Sequence, residues 1–183
     1  MQNNPYYVNR FIGMNCASDL LNWNMFPNAK EITESYGTFA NIISYFPELD
    51  RNDSKVRLVA VGDGHTPRTA ALAACMTRWN CYSIDPELRH KTKWQEVKRL
   101  HLFHQKIEQV LLDFGDDPTI IACVHSHAHY KACLNSIKST NRHMIALPCC
   151  DRTYYSTYKK PDFIFRDDKV WSQKNEFLIW KNV

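Results

Sequence analysis

Glycine is scarce in this chain, which has only five glycines in 183 residues. Its seven cysteines include no CxxC pair. Since a zinc ribbon takes its ligands from such pairs, that class of structural zinc module is excluded. An odd number of cysteines also argues against a disulfide framework. We therefore expect reduced thiols and a cytoplasmic, reducing location.

Long apolar runs and strong charge are also missing. No stretch approaches the roughly 18 apolar residues that a membrane span needs, and the opening MQNNPYYVNR lacks the layout of a secretory signal. The formal net charge of +4 permits a nucleic-acid partner without requiring one. With 44% hydrophobic residues, the composition predicts one compact soluble domain over residues 1–183, with no membrane partner.

Two of the five glycines, Gly62 and Gly64, directly follow the apolar run Val56–Val61. Such a run predicts a fully buried parallel strand. The following stretch, Thr66–Trp79, predicts a helix with Thr66 as N-cap and Pro67 in the first helical position. Together these features form one strand, glycine turn and helix unit.

The alternation of strands and helices continues along the chain. Further strands are predicted at 81–84, 99–104, 119–124, 143–147, 162–166 and 176–180, and further helices at about 90–97 and 130–139. The last two strands have no helix between them and should form an antiparallel hairpin. The predicted fold class is therefore α/β, a doubly wound and mostly parallel seven-stranded sheet ending in that hairpin.

The first 50 residues are predicted to form a helical cap on a core that spans residues 55–183. The best helix of this cap is TESYGTFANIISYF, residues 33–46. Its role is left open between a lid and a dimer surface.

A ligand site is predicted where the first two strands end. The glycine turn in Val61–Pro67 lets the backbone approach a nucleoside cofactor with a polar tail. Asp85 ends the next strand, 23 residues after Gly62, where an acid accepts hydrogen bonds from ribose hydroxyls. The alternative is a tight turn that binds nothing, with Asp85 capping the segment after it.

Residues 56–88 resemble motifs I and II of class I S-adenosylmethionine (AdoMet)-dependent methyltransferases, and the strand order fits that family over residues 55–183. The resemblance implies that AdoMet is the cofactor and that the glycine turn holds its methionine part. It implies that Asp85 holds the ribose. Thr66 stands where a third glycine of the family pattern would be. The predicted cofactor-binding residues are Gly62, Asp63, Gly64, His65, Thr66, Asp85, Pro86, Lys106, Ile107 and His125.

The fourth strand is followed by the sequence VHSHAH, residues 124–129, in place of the NPPY type of sequence in amino-methylating members of the family. His125 and His127 alternate, so either could act as a general base toward a hydroxyl or bind a phosphate. We expect Asp63, His125 and Cys149 near the reacting centre. The alternatives are a polar strand end at the surface and a zinc site formed by the histidines with Cys149, Cys150 and Asp151; we predict no metal, because adjacent cysteines normally point apart.

After the fifth strand, the segment ALPCCD resembles in part the Cys-Cys segment of proteins related to tRNA ribose 2′-O-methyltransferases. Those proteins continue with histidines where this chain has Asp151 and Arg152. Aromatic and cationic residues interleave over 151–161, which predicts a loop that stacks a base and contacts phosphate. The predicted substrate-binding residues are His127, Cys150, Arg152, Tyr154 and Tyr155. Buried structural cysteines and a solvated loop are the alternatives.

The sequence thus predicts an AdoMet-dependent methyltransferase, with RNA as the leading acceptor class. One alternative is a non-catalytic binding or scaffold subunit of the same fold, which the missing third glycine favours. Another is an enzyme with a different nucleotide cofactor, such as NAD, which the terminal hairpin disfavours. A protein partner or a homodimer is compatible with each.

Overall fold

A computed structural model describes residues 4–89, 91–149, 153–156 and 158–183 of the chain. Its centre is a seven-stranded sheet in the order β3-β2-β1-β4-β5-β7-β6. The strands are β1 (Arg57–Val61), β2 (Asn80–Ile84), β3 (Leu100–Phe103), β4 (Thr119–Val124), β5 (Arg142–Leu147), β6 (Phe163–Arg166) and β7 (Glu176–Trp180). The first five are parallel, and β7 is antiparallel to both β5 and β6. The predicted fold class is confirmed.

Helices cover both faces of this sheet. They are α1 (Tyr6–Ile12), α2 (Ala17–Asn22), α3 (Ala29–Tyr45), α4 (Arg68–Met76), α5 (Tyr130–Ser136) and α6 (Thr153–Ser156), with 3-10 turns at Thr92–Glu96 and Ile107–Gln109. Two short segments, Leu112–Asp113 and Ile137–Lys138, pair outside the main sheet. Among the described residues, no helix is long and apolar enough to cross a membrane.

Alternation along each strand builds two hydrophobic layers. Leu58 and Ala60 of β1 face a large cluster under α1–α4, whereas Val59 and Val61 face a smaller one under α5. All six residues of β4 are buried, as expected for a central parallel strand covered on both faces. The carboxyl ends of the parallel strands consequently meet at one edge of the sheet.

The helices predicted near 90–97 and over 130–139 are both shorter than expected. The helix expected near 90–97 is only the 3-10 turn Thr92–Glu96, because its anchor is one buried ring rather than an apolar face. The indole Nε1 of Trp94 in this turn donates to the Trp23 carbonyl over 3.0 Å. The helix expected over 130–139 ends at Ser136, since the next two residues pair with Leu112–Asp113.

The N-terminal helices are part of the sheet's own core. Helix α3 begins at Ala29, a turn before its predicted start, because the Asn28 side chain accepts a hydrogen bond from the Glu31 amide over 3.0 Å. It packs against α1, α4, β4 and β5. The buried side of α3 carries the polar residues Glu34, Ser35 and Thr38. This position brings α3 side chains to the carboxyl edge of the sheet.

Candidate functional site

A cavity of about 580 Å³ opens where β1, β2 and β4 end. The chain runs outward in opposite directions from β1 and β4, and ligands of open α/β sheets bind at such a switch point. Eight predicted cofactor residues line this cavity: Gly62, Gly64, His65, Asp85, Pro86, Lys106, Ile107 and His125. The other two, Asp63 and Thr66, do not.

The glycine turn requires glycine for two reasons. Gly62 and Gly64 have φ angles of +74° and +81°, in the left-handed region that side chains rarely adopt. A Cβ on Gly62 would also lie 2.3 Å from the hydroxyl oxygen of Ser126, beyond the end of β4. The turn is therefore pressed against the neighbouring strand end, which its sequence alone did not indicate.

Asp85 joins the two loops at the cavity wall. One carboxylate oxygen accepts from the Gly64 amide over 2.8 Å, and the other accepts from the Glu87 amide over 2.7 Å. The side chain therefore caps its own turn, as the alternative interpretation held, and also fixes the glycine turn. It remains in the cavity lining, where its oxygens have further lone pairs for a ligand.

Asp63 does not lie at the predicted reacting centre. It is 2% exposed and accepts hydrogen bonds from the Thr69 and Ala70 amides and from the Ser83 hydroxyl over 3.0–3.2 Å. Burial raises the pKa of Asp63, and the positive charge of Arg68 and those amides oppose this shift. Asp63 is thus the cap of α4, the role that the sequence assigned to Thr66.

Thr66 neither lines the cavity nor caps the helix. The helix begins at Arg68, with Pro67 before it and no side-chain hydrogen bond from the cap position. The Thr66 hydroxyl oxygen is buried and has no hydrogen-bond partner among the described residues. The Asp63 carboxylate accepts hydrogen bonds from amides of the first helical turn, which Thr66 was expected to bond as N-cap.

A cation that the sequence analysis did not identify lies beside the glycine turn. Arg68 lines the cavity, and its Nη1 lies 3.4 Å from a carboxylate oxygen of Glu31 on α3. The same Nη1 lies 3.1 Å from where a Cβ on Gly64 would stand. The buried Nε of Arg68 has no hydrogen-bond partner among the described residues. The only sequence signal was a cation at the start of the predicted helix.

The wall formed by the end of β4, beside the glycine turn, carries a histidine held by a buried carboxylate. The Nε2 of His125 lies 2.8 Å from an oxygen of Glu34, whose side chain is 1% exposed. The Lys30 ammonium lies 2.7 Å from the same oxygen. Burial raises the pKa of Glu34, but His125 and Lys30 outweigh that effect and hold it below its ordinary value. Glu34 was missed because 91 residues separate it from His125.

Two more predicted residues meet at the rim. The Nε2 of His127, which lines the cavity, lies 3.1 Å from the Cys149 sulfur after β5. Cys149 itself does not line the cavity. Cys150 and Arg152 lie outside the described residues, as does the side chain of Tyr154, so their roles remain predictions. In the described part of the chain, no three histidine, cysteine or acidic residues could together hold a metal ion.

Tyr155 was predicted to contact substrate, and the structure places it in the core instead. It is fully buried, its ring centroid lies 6.3 Å from that of Trp180, and its hydroxyl donates to the Ser126 carbonyl over 2.9 Å. A buried tyrosine needs such a partner for its polar end. Tyr155 supports the strand end beneath the cavity and is not in its lining.

Comparison with known proteins bears on the fold. No family profile matches the chain, and no curated protein matches it. A crystal structure of a point mutant of MtNAS, a nicotianamine synthase, is similar in structure, with a TM-score of 0.52 and 13% sequence identity. The similarity covers 97% of this chain and 69% of that chain. It therefore shows a shared fold that includes the N-terminal helices.

Proposed function

We propose that the cavity binds AdoMet and that the protein transfers the methyl group of AdoMet to an acceptor. The observation that carries the proposal is the direct hydrogen bond between Asp85 and the Gly64 amide in one cavity lining. The two sequence motifs that resemble the methyltransferase family thereby form one site. The cavity volume of about 580 Å³ falls in the range of small-molecule sites. MtNAS shares the fold over 97% of this chain.

Four groups of residues would hold AdoMet. The backbone of Gly62 and Gly64 leaves room for its methionine part, and Asp85 would accept from the ribose hydroxyls. Lys106 and Ile107 would flank the adenine. Arg68 lines the cavity, and its guanidinium matches the methionine carboxylate in charge and in shape.

The chain's contribution to the transfer is mainly placement. AdoMet supplies a methyl carbon already activated by a sulfonium, so the protein must hold the acceptor in line with it. Ser126, His127 and Ala128 line the cavity after β4 and would form the acceptor side. His125 lies between the cofactor side and the acceptor side of the cavity, and we assign it as the general base.

RNA stays in the proposal as one acceptor class to test. The support for it is the sequence of the 151–161 segment, in which residues 151, 152 and 157 lie outside the described residues. The described cavity lining carries three carboxylates, Asp85, Glu87 and Glu108, and two permanent cations, Arg68 and Lys106, so its charge does not favour a phosphodiester over a neutral acceptor. The acceptor screen should therefore contain small amines and alcohols beside RNA.

Calorimetric titration tests the proposal. Wild-type protein should bind AdoMet and its demethylated product, S-adenosylhomocysteine, but not NAD. Asp85→Ala should lower the affinity for AdoMet about 10- to 100-fold, since a hydrogen bond to a charged group contributes about 1.5–3 kcal/mol. Asp113→Ala is the matched control, because Asp113 also accepts from a glycine amide, that of Gly115, but away from the cavity. A folded wild type that does not bind AdoMet would contradict the proposal.

Product analysis then identifies the transferred group. Mass spectrometry after incubation with the acceptor panel should find S-adenosylhomocysteine, which is the AdoMet remainder once its methyl group has left. Methylthioadenosine would show instead that the aminocarboxypropyl group is transferred. That result would keep the cofactor assignment and reject methyl transfer.

A further inference from the structure

The Glu34–His125 pair is built differently from the other ion pairs of the described structure. Glu34 is completely buried, yet it lies on a helix outside the strand alternation. A buried carboxylate is costly unless it is paired and hydrogen-bonded. One oxygen of Glu34 has two donors, His125 and Lys30, while the other is buried without a hydrogen-bond partner in the described part of the chain. A charge kept there at such a cost suggests a use beyond stability.

The hydrogen bond to Glu34 determines which nitrogen of His125 carries the proton. A carboxylate can only accept, so the Nε2 that faces it must donate. In the neutral ring, the lone pair is then on Nδ1. This Nδ1 is buried and has no hydrogen-bond partner among the described residues, while the imidazole it belongs to lines the cavity. The hydroxyl or amine of a methyl acceptor bound beside the ring could donate a hydrogen bond to this nitrogen.

The backbone gives independent support. His125 has a φ angle of +53°, a conformation that a residue with a Cβ rarely adopts. Its amide donates to the Leu147 carbonyl over 2.8 Å, which extends the pairing of β4 and β5 by one residue. Strained residues of this kind concentrate at functional sites, where the surrounding structure holds them in place. From this position the side chain of His125 reaches α3 and meets Glu34.

We infer that Glu34 is a positioning residue that presents Nδ1 of His125 as the proton acceptor for an alcohol or amine substrate. This inference rests on the proposed function. The attacking oxygen or nitrogen forms a bond to the methyl carbon, and the sulfur–carbon bond breaks with its electron pair passing to sulfur. The proton of the attacking atom passes to Nδ1, and Glu34 stabilises the imidazolium that results.

The charges around the pair fit this assignment. Lys30 and Glu34 face each other on α3, and the remaining charged side chains of this wall, Glu31 and Arg68, pair with each other. Glu34 is therefore the acid in contact with the histidine. The shared chemistry of the two substrate classes is an attacking atom that loses a proton.

Nitrogen-15 NMR of histidine-labelled full-length protein tests the pair directly. His125→Asn assigns the ring signals. In the wild type we expect the neutral ring of His125 in the Nε2–H form. In Glu34→Gln we expect both neutral forms, because a glutamine amide can donate as well as accept. The matched control is Glu48→Gln, which removes another acid near a histidine, His143, with 3.9 Å between them. This control should leave the His125 signals unchanged.

Titration with AdoMet separates the two proposals. AdoMet that binds in the cavity should shift the His125 ring signals in the wild type and in Glu34→Gln, with affinities within about threefold. An unchanged tautomer in Glu34→Gln would overturn the inference even if AdoMet binds. AdoMet binding that leaves His125 unmoved would overturn it as well. Absence of AdoMet binding overturns the proposed function. The effect of Glu34→Gln on the His125 tautomer is measured without AdoMet and tests the pair separately.

Discussion

The two sides of the cavity are built in different ways. The side formed by β1 and β2 depends on Gly62, Gly64 and Asp85, which are close in sequence and act largely through backbone geometry and one hydrogen bond. The side formed by β4 depends on contacts from far along the chain, with Glu34 holding His125 and Tyr155 bonding Ser126. One side of the cavity is thus built from residues that are close in sequence, and the other from contacts between distant parts of the chain. Gly62 and Ser126 are where the two halves touch.

The largest effect is expected where the halves touch. Gly62→Ala combines a strained φ angle with a Cβ that would lie 2.3 Å from the Ser126 hydroxyl. We expect a loss of about 2–5 kcal/mol in unfolding free energy, from left-handed strain and overpacking together. Urea denaturation would measure it.

Gly115→Ala is the control for that substitution. Gly115 has a φ angle of +56° but nothing within 4 Å of its Cβ position. It should therefore lose only about 1–2 kcal/mol, the contribution of strain alone. Equal losses in the two variants would mean that the approach of the two halves adds nothing.

A substitution of Arg68 tests the side of the cavity that is proposed to hold the cofactor. Arg68→Met should lower the affinity for AdoMet about tenfold or more, because a charge-assisted hydrogen bond contributes about 1.5–3 kcal/mol. The affinity for decarboxylated AdoMet should change little, since that ligand lacks the group Arg68 is proposed to bind. Competition calorimetry would compare the two ligands.

Arg57→Met is the matched control. Arg57 is also paired with an acid, Asp117 at 2.7 Å, but it lies at the amino end of β1. Its loss should leave both affinities unchanged. An equal loss for both ligands in Arg68→Met would argue against the carboxylate contact.

On the other side, Tyr155→Phe should destabilise the protein without removing AdoMet binding. The substitution leaves the Ser126 carbonyl without its 2.9 Å donor, which costs about 1–2 kcal/mol. Thermal and urea unfolding would show it. Tyr158→Phe, at an exposed tyrosine, should have no measurable effect. A Tyr155→Phe variant with wild-type unfolding free energy but no AdoMet binding would show that Tyr155 contributes to the ligand site.

The smallest expected effect concerns acid. The pKa of Glu34 is lowered from its ordinary value of 4.5 in the folded protein, because His125 and Lys30 outweigh burial. Its contribution to stability is therefore complete above pH 4.5 and is lost as the pH falls through the lowered pKa. The difference in unfolding free energy between wild type and Glu34→Gln should shrink over that range. A difference that is constant with pH would show that the pairing does not depend on the charge of Glu34.

The success of prediction follows the range of the interactions. The alternation of strands and helices predicted seven strands where the structure has them, and the central strands β1, β4 and β5 show their burial in their own residues. The spacing of Gly62 and Asp85 predicted two loops that do meet. Asp63 and Tyr155 were misplaced because their partners are a helix start and a carbonyl that only folding brings near them.

The sequence by itself determined the α/β sheet, its terminal hairpin and the glycine turn with Asp85. These depend on periodicity and on φ angles, which neighbouring residues settle. Only the tertiary structure decided that Asp63 caps α4, that Arg68 enters the cavity and that Glu34 meets His125. The contacts of Arg68 and Glu34 join segments that meet only when the sheet and α3 have packed together, and the burial of Asp63 depends on the same packing.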